Sequence, residues 1–272
     1  MTHVLEVDGV ELEIDPQVGG RITSFRHGDF EVLSSSAIDA NNYGSTFWTS
    51  PQSDWGWPPP AEIDRGPYTI ESHAGDLTLT GPPSDLLGVK VSKRFTVDRT
   101  RRAIVIEYTL ENVSRAPRTY APWEVTRVQA RGLTFFPTSF PIAPSSCSGK
   151  LALDERDDAV WYAHVPEPLP PDGLKAMVRG TAGMLAHVAG GYLFVKRFEP
   201  VPPEKQAPGE GSIEVYANPR YVELEVQGRY SRIEPGAKAT WSVVWSLRKL
   251  PSGIAAAAGS GGLLAFAHAM GA

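Results

Sequence analysis

Apolar and polar residues alternate along much of the chain with a period of two, the spacing of a strand that buries one face. In Ala103 to Leu110, Ile104, Ile106, Tyr108 and Leu110 share one side, while Val105, Glu107 and Thr109 share the other. Val89 to Val97 reads the same way, and near the end Trp241, Val243, Trp245 and Leu247 oppose Ser242, Val244, Ser246 and Arg248. Glu234-Pro235-Gly236 reads as a turn just before that last segment, so the two together predict a late hairpin. Shorter patterns predict strands at Val4 to Val7, Val10 to Ile14, Arg21 to Phe25, Tyr68 to Ser72, Leu77 to Thr80, Thr119 to Val128, Tyr192 to Phe198, Ser212 to Tyr216 and Tyr221 to Gln227. No helical periodicity stands out before the C-terminal tail. A one-sided sheet must cover its apolar face with another layer, so this series predicts a large antiparallel β-sandwich.

Pro/Gly-rich stretches at Trp57 to Pro67, Pro166 to Gly173 and Pro200 to Gly211 interrupt the strands without a change in composition. They read as long loops of a single domain over 1–250, and loops of that length often carry function. The segment 251–272 is a separate matter, an Ala/Gly-rich tail without Asp, Glu, Lys or Arg. It is long enough to span a bilayer, but its glycines, its serines and His268 argue against that, and Leu263, Phe266 and Met270 form the stripe of a short helix lying on the domain.

The 272 residues suffice to bury a substantial core, and 26 Lys plus Arg against 31 Asp plus Glu give a net charge of -5 with no basic cluster, which argues against nucleic acid as a partner. Cys147 is the one cysteine, so neither an intrachain disulfide nor a thiolate zinc site is available. The N-terminus lacks the basic and apolar regions of a signal peptide, and a cytoplasmic location is the default that follows. His3, His27, His73, His164, His187 and His268 are too dispersed for an HExxH-type site, and there is no GxSxG elbow, phosphate-binding loop or dinucleotide fingerprint. No metal or cofactor is expected.

Candidate chemistry concentrates in four places. Asn41 to Asp64, NNYGSTFWTSPQSDWGWPPPAEID, packs Tyr43, Phe47, Trp48, Trp55 and Trp57 among small polar residues including Asn42 and Gln52. Such aromatics either pin the loop to the core or meet a ligand, and a sugar ring suits them, its C–H face on indole and its hydroxyls on amides and charges. Arg21 follows a Gly-Gly pair and offers a planar fork of donors, either for a ligand or for a surface salt bridge. In Tyr221 to Gln227, Tyr221, Glu223, Glu225 and Gln227 share a face, with the two carboxylates roughly 7 Å apart. Ser212, Glu214 and Tyr216 repeat that polar face upstream. It is either a solvated outer surface or a polar cleft in which one buried Glu serves as general base. Finally, Lys196 lies between Phe194 and Phe198, either snorkelling or entering the cleft, and Trp123 stands beside Glu124, either packed in the core with Glu124 in solvent or forming a platform beside a carboxylate.

These segments resemble the galactose mutarotase-like superfamily, the aldose 1-epimerases and their relatives, and more narrowly the DUF4380 group within it. The resemblance runs from about Val4 to Leu250 and rests on GGRI at Gly19 to Ile22, NNYGSTFW and SPQSDWGWPPP within Asn41 to Pro60, LENVS at Leu110 to Ser114, PWEVTR at Pro122 to Arg127 and VELEVQG at Val222 to Gly228. It implies a β-supersandwich that binds mono- or oligosaccharides on a sheet face. Aldose 1-epimerases carry their base in a segment LExQ, which Leu224-Glu225-Val226-Gln227 matches, so the resemblance makes Glu225 the base. Their acid is a histidine shortly after an N-x-S/T-x-x-P element; Asn112, Ser114 and Pro117 supply the element, but Pro122-Trp123-Glu124 stands where the histidine is expected. The acid is then either lost or replaced by Glu124 or Lys196. Three functions follow as expectations: an anomer-interconverting enzyme, with Arg21 and Gln52 holding hydroxyls and Trp48, Trp55, Trp57 or Trp123 on the ring; a non-catalytic carbohydrate-binding protein; and a glycoside hydrolase using Glu124 and Glu225, which requires carboxyls about 5 to 9.5 Å apart.

Overall fold

A computed structural model describes residues 1–137, 147–149, 151–156, 158–164, 169–178 and 183–271. The first half of the chain forms β1 (His3–Val7), β2 (Val10–Asp15), β3 (Arg21–His27), β4 (Phe30–Glu31), β5 (Ser45–Ser50), β6 (Thr69–His73), β7 (Asp76–Thr80), β8 (Val89–Asp98), β9 (Ala103–Asn112), β10 (Arg118–Gln129) and β11 (Leu133–Pro137), with a one-turn helix α1 (Ala61–Asp64) after β5. The second half forms β12 (Cys147–Gly149), β13 (Asp154–Arg156), β14 (Ala159–Ala163), β15 (Leu174–Val178), β16 (Met184–Ala189), β17 (Tyr192–Phe198), β18 (Ile213–Ala217), β19 (Tyr221–Gln227), β20 (Ser231–Ile233), β21 (Lys238–Lys249) and the helix α2 (Gly261–Ala269).

These strands build two antiparallel sheets. One runs β1-β2-β3-β5-β10-β19-β18-β15-β12, with β4 against β3 and β20 against β10; the other runs β13-β14-β11-β16-β17-β21-β9-β8-β7-β6. The expected sandwich is therefore present. One apolar core joins the facing sides, with Leu12, Ile14, Phe25, Phe47 and Leu224 from the first sheet meeting Phe95, Ile106, Phe194, Val243 and Trp245 from the second. The segments of strict alternation end close to where the pattern ends, and Tyr192 to Phe198 and Tyr221 to Gln227 coincide with β17 and β19. The late hairpin is a correction: β20 pairs with β10 while β21 pairs with β9 and β17, so the Glu234-Pro235-Gly236 turn carries the chain from one sheet to the other.

The tail is a short helix on the outer side of the second sheet. Leu263, Ala267 and Met270 are buried there against Phe135, Trp161, Leu193 and Val195, with Phe266 half-buried beside them. Ser260 caps its N-terminus, and the Arg197 guanidinium donates to the carbonyls of Ala267, His268 and Met270, satisfying the orphan acceptors of its last turn. Among the described residues no helix is long and apolar enough to cross a membrane.

Two glycines shape the first sheet's outer side. Gly19 has φ of +77°, and a Cβ there would lie 2.1 Å from the Asp64 carbonyl oxygen. Only glycine lets the α1 segment dock so closely on the turn before β3. Gly44, with φ of +60°, likewise allows the chain to pass the Ile22 carbonyl on its way into β5.

Candidate functional site

The outer face of the first sheet is polar where an exposed face would be, yet it is buried. Across β5, β10, β19, β18 and β15 the register aligns Trp48, Trp123 and Gln227 in one row, Thr46, Val125, Glu225, Glu214 and Met177 in the next, and Arg127, Glu223, Tyr216 and Lys175 in a third. Successive residues of a strand point to opposite sides, so these rows share the outer face. The side chains of Glu214, Glu225 and Arg127 are nonetheless at most 1% exposed.

Burial of so many charges requires partners. Arg127 donates from Nε to Glu223 Oε1 at 2.8 Å and from Nη1 to Thr46 Oγ1 at 2.9 Å, and its guanidinium lies 5.1 Å from the Trp48 ring. The Lys175 ammonium sits 2.5 Å from Glu214 Oε2, 3.0 Å from Glu225 Oε2 and 5.0 Å from the Trp123 ring centre. Trp123 Nε1 donates to the same Glu225 Oε2 at 3.0 Å, and Glu214 Oε1 accepts from Gly211 N and Gln227 Nε2. Burial works against the charge of Lys175, but Glu225 and then Glu214 outweigh it and hold its pKa above the ordinary lysine range. Burial also pushes the Glu214 carboxyl up to about 8 against the pull of Lys175, and the Glu223 carboxyl up to about 7 against that of Arg127. Three atoms in this cluster are buried and have no hydrogen-bond partner among the described residues: Glu225 Oε1, Arg127 Nη2 and Glu214 Oε2, of which the last is ion-paired with Lys175.

A cleft of about 510 Å³ opens beside the tryptophan row, lined by Arg21, Asn41, Asn42, Tyr43, Trp48, Trp57, Pro58, Asp64 and Arg65 among others. Arg21 donates to the Asn41 and Tyr43 carbonyls, stacks 4.4 Å from the Tyr43 ring and lies 3.5 Å from Asp64 Oδ2. Asp64 Oδ1 accepts from Trp48 Nε1 at 2.8 Å, so one carboxylate fixes both a cleft guanidinium and a cleft indole. Trp57 is 62% exposed, its ring edge-on to Trp48 at 5.9 Å. Behind the Gly19–Gly20 turn that leads into Arg21, Lys93 reaches over from the second sheet and donates to both glycine carbonyls. It is wholly buried, and burial pulls its pKa down to about 7 despite nearby Asp64.

Of the residues expected from sequence, Arg21, Asn42, Trp48 and Trp57 line the cleft, while Trp123, Glu214, Glu223 and Glu225 form the adjoining charged cluster. Trp55 bridges them from above, 5.7 Å from Trp48 and 6.3 Å from Trp123, its Nε1 donating to the Thr49 carbonyl. Gln52 stands apart in the loop after β5, its side chain turned back to the Gly56 carbonyl. Arg21 is 3% exposed, so the surface salt bridge is overturned.

Glu124 and Lys196 need a larger correction. Glu124 follows Trp123 on β10 and therefore points the other way, into the layer between the sheets, where Tyr108 Oη and Trp245 Nε1 donate to it at 2.5 and 3.0 Å. Lys196 meets it there at 2.8 Å, and both side chains are 0% exposed. The lysine neither snorkels nor enters the cleft, the glutamate is not in solvent, and Glu124 and Glu225 lie on opposite faces of the sheet, so they do not face one glycosidic bond as a hydrolytic pair. The residues missed by the sequence reading are Lys175, Arg127, Asp64 and Arg65, while Tyr43 of the aromatic loop lines the cleft. Among the described residues no cluster of three or more His, Cys, Asp or Glu could hold a metal ion.

The family model of the domain of unknown function DUF4380 matches residues 3–248. The chain belongs to this family. Among curated proteins nothing matches this DUF4380 chain. Its fold is galactose mutarotase-like. A putative aldose 1-epimerase from Escherichia coli K12 superposes with a TM-score of 0.60 at 14% identity, over 92% of the DUF4380 chain and 99% of its own. A galactose mutarotase-like protein from Lactobacillus casei ATCC 334 gives 0.63 at 7% identity, over 91% and 100%. A galactose mutarotase related enzyme from Lactobacillus acidophilus gives 0.62 at 10%, over 93% and 99%.

Proposed function

We propose that this chain binds an aldose across the Trp48–Trp123 row and interconverts its anomers, with Glu225 as the base. The observation that carries this is the state of the Glu225 carboxylate: Oε2 is fixed by Trp123 and Lys175, while Oε1, buried on the same face, has no donor among the described residues. An acceptor oxygen without a donor costs free energy that a ligand hydroxyl would recover. Arg127 Nη2, buried and without an acceptor, offers the complementary half, so adjoining hydroxyls of one sugar would satisfy both. Indole faces beside them suit the apolar face of a pyranose. The adjoining cleft of about 510 Å³, lined by Arg21, Trp48 and Trp57 though not by Glu225 itself, falls within the range of small-molecule sites.

In this reading Glu225 Oε1 takes the proton of the anomeric hydroxyl, the ring opens as an acid protonates the ring oxygen, and rotation about the adjoining carbon–carbon bond precedes closure on the other face. Arg21, Asn42 and Trp57 hold the end of the sugar remote from the anomeric carbon, and Trp55 with the Gln52 loop covers it. The second reading, a carbohydrate-binding protein without catalysis, is favoured by the absence of the histidine that the resemblance assigns as acid. Magnetisation-exchange NMR on a panel of aldoses and uronic acids separates the two. Faster exchange between α and β signals of one sugar supports the enzyme; line broadening without faster exchange supports binding alone.

A further inference from the structure

We propose that Lys175 is the proton donor that works with Glu225, in the role for which the resemblance implies a histidine and this chain has none. The proposal rests on the anomer-exchange reading above. The hydroxyl and ring oxygens of a hemiacetal share one carbon, so base and acid must be neighbours on the same face. Lys175 meets that requirement: its ammonium lies 3.0 Å from Glu225 Oε2 and 5.0 Å over the buried Trp123 ring. Its side chain is 25% exposed, against 1% for Glu225 and 0% for Glu214, so it is the charged member of this trio that a ligand entering from solvent meets first.

The other donors on this face do not fit. Arg127 and Arg21 carry guanidinium groups, which do not release protons in proteins. Glu223 accepts from Arg127, Glu214 is fully enclosed with Oε1 accepting two hydrogen bonds, and the Tyr216 hydroxyl donates to the Asp172 carbonyl. Glu124 and Lys196 lie on the far side of the sheet.

The arrangement also couples the two proton movements. Burial disfavours the Lys175 charge, and Glu225 is the larger of the two main attractions that maintain it. When Glu225 Oε1 takes the O1 proton it becomes neutral, that attraction ends, and Lys175 turns into a better acid as the ring oxygen gains charge. The O1–H pair becomes the second bond of C1=O1, the C1–O5 bond breaks with its pair going to O5, and Nζ delivers its proton there, leaving a neutral amine. After rotation about C1–C2, O5 attacks the other face of the carbonyl, returning its proton to Nζ while Glu225 returns its own to O1. No oxidant, metal or further reactant is needed.

Lys175→Arg keeps the charge toward Glu214 and Glu225 but cannot donate, so it tests the proton rather than the ion pair. The expected result is a loss of anomer exchange of about 100-fold or more with ligand line broadening retained. Lys175→Ala provides an independent test with added alkylammonium ions. Exchange should return, and the rescued rate should rise as the pKa of the added amine falls, which a structural role would not produce. Exchange in Lys175→Arg within about threefold of wild type, or rescue independent of amine pKa, overturns the proposal. If the unaltered chain accelerates no aldose, the anomer-exchange reading fails and this one with it; an active chain with an active Lys175→Arg variant removes Lys175 alone.

Discussion

Replacing Lys196 by Met tests whether the buried pair between the sheets is a structural device. Lys196 Nζ donates to Glu124 Oε1 at 2.8 Å, to Thr126 Oγ1 at 2.9 Å and to the Leu224 carbonyl at 2.8 Å, and neither charged side chain touches solvent. Methionine fills a similar volume but leaves the Glu124 carboxylate in an apolar layer with only the Tyr108 and Trp245 donors. Breaking one side of a buried pair costs about 3–5 kcal/mol, a large part of the roughly 5–15 kcal/mol that keeps a domain folded. Removing both charges in Glu124→Gln/Lys196→Met should cost at least about 2 kcal/mol less than the sum of the single changes, since no charge is then stranded. Urea unfolding followed by tryptophan fluorescence measures each term, with an unchanged m-value as the check that only stability has moved. A Lys196→Met cost below about 1 kcal/mol, or strictly additive single effects, would refute the reasoning. The Leu224 contact adds a functional corollary, because the residue gripped from behind precedes Glu225.

Three further outcomes are expected. Lys93 binds a proton in the unfolded chain up to its ordinary pKa of 10.5 but in the folded chain only up to about 7, so between those values folding releases a proton and stability rises with pH. Unfolding free energies of wild type and Lys93→Met should therefore diverge in wild type's favour from pH 7 toward pH 10, by up to roughly 4 kcal/mol, and a pH-independent difference would show that burial does not depress Lys93. Asp64→Ala should destabilise the chain by about 1.5–3 kcal/mol, since Trp48 Nε1 and Arg21 both lose a charged acceptor, and the change should alter tryptophan emission; unchanged emission and stability would contradict it. Trp57→Ala, at a 62% exposed position, should leave stability within about 0.5 kcal/mol while weakening sugar binding roughly fivefold or more, and calorimetry of folding and titration of ligand read the two separately.

The fold was legible wherever one face of a strand is buried and the other is wet. In β9 the residues from Ile104 to Leu110 alternate in burial as they do in sequence. The pattern fails where both faces are covered. In β5, Ser45 to Ser50 are all buried, Phe47 toward the core and Trp48 toward the cleft, so STFWTS shows no alternation and reads as part of an aromatic loop. For the same reason Tyr221 to Gln227 reveals its polar face but not that this face is closed to solvent. Trp123 and Glu124 had to point to opposite sides, but alternation alone left open which of them faces the core; Glu124 does, because its Lys196, Tyr108 and Trp245 partners come from the other sheet. Lys175 had no local signal: LKAMV is an unremarkable strand, and its lysine meets Glu225 only through the pairing of β15 with β18 and β18 with β19. Asp64 likewise reaches Arg21 across 43 positions, through the close approach that Gly19 permits.

The central claim is that the Glu225 carboxylate accepts a sugar proton, and the most direct measurement compares anomer exchange in wild type and Glu225→Gln by magnetisation transfer, with ligand line broadening recorded in the same samples. The glutamine keeps the shape and can still accept at one oxygen from Trp123 and Lys175, but it cannot serve as base. The account predicts broadening in both samples and accelerated exchange in wild type alone. Equal exchange in the two proteins, or none in either, would contradict it.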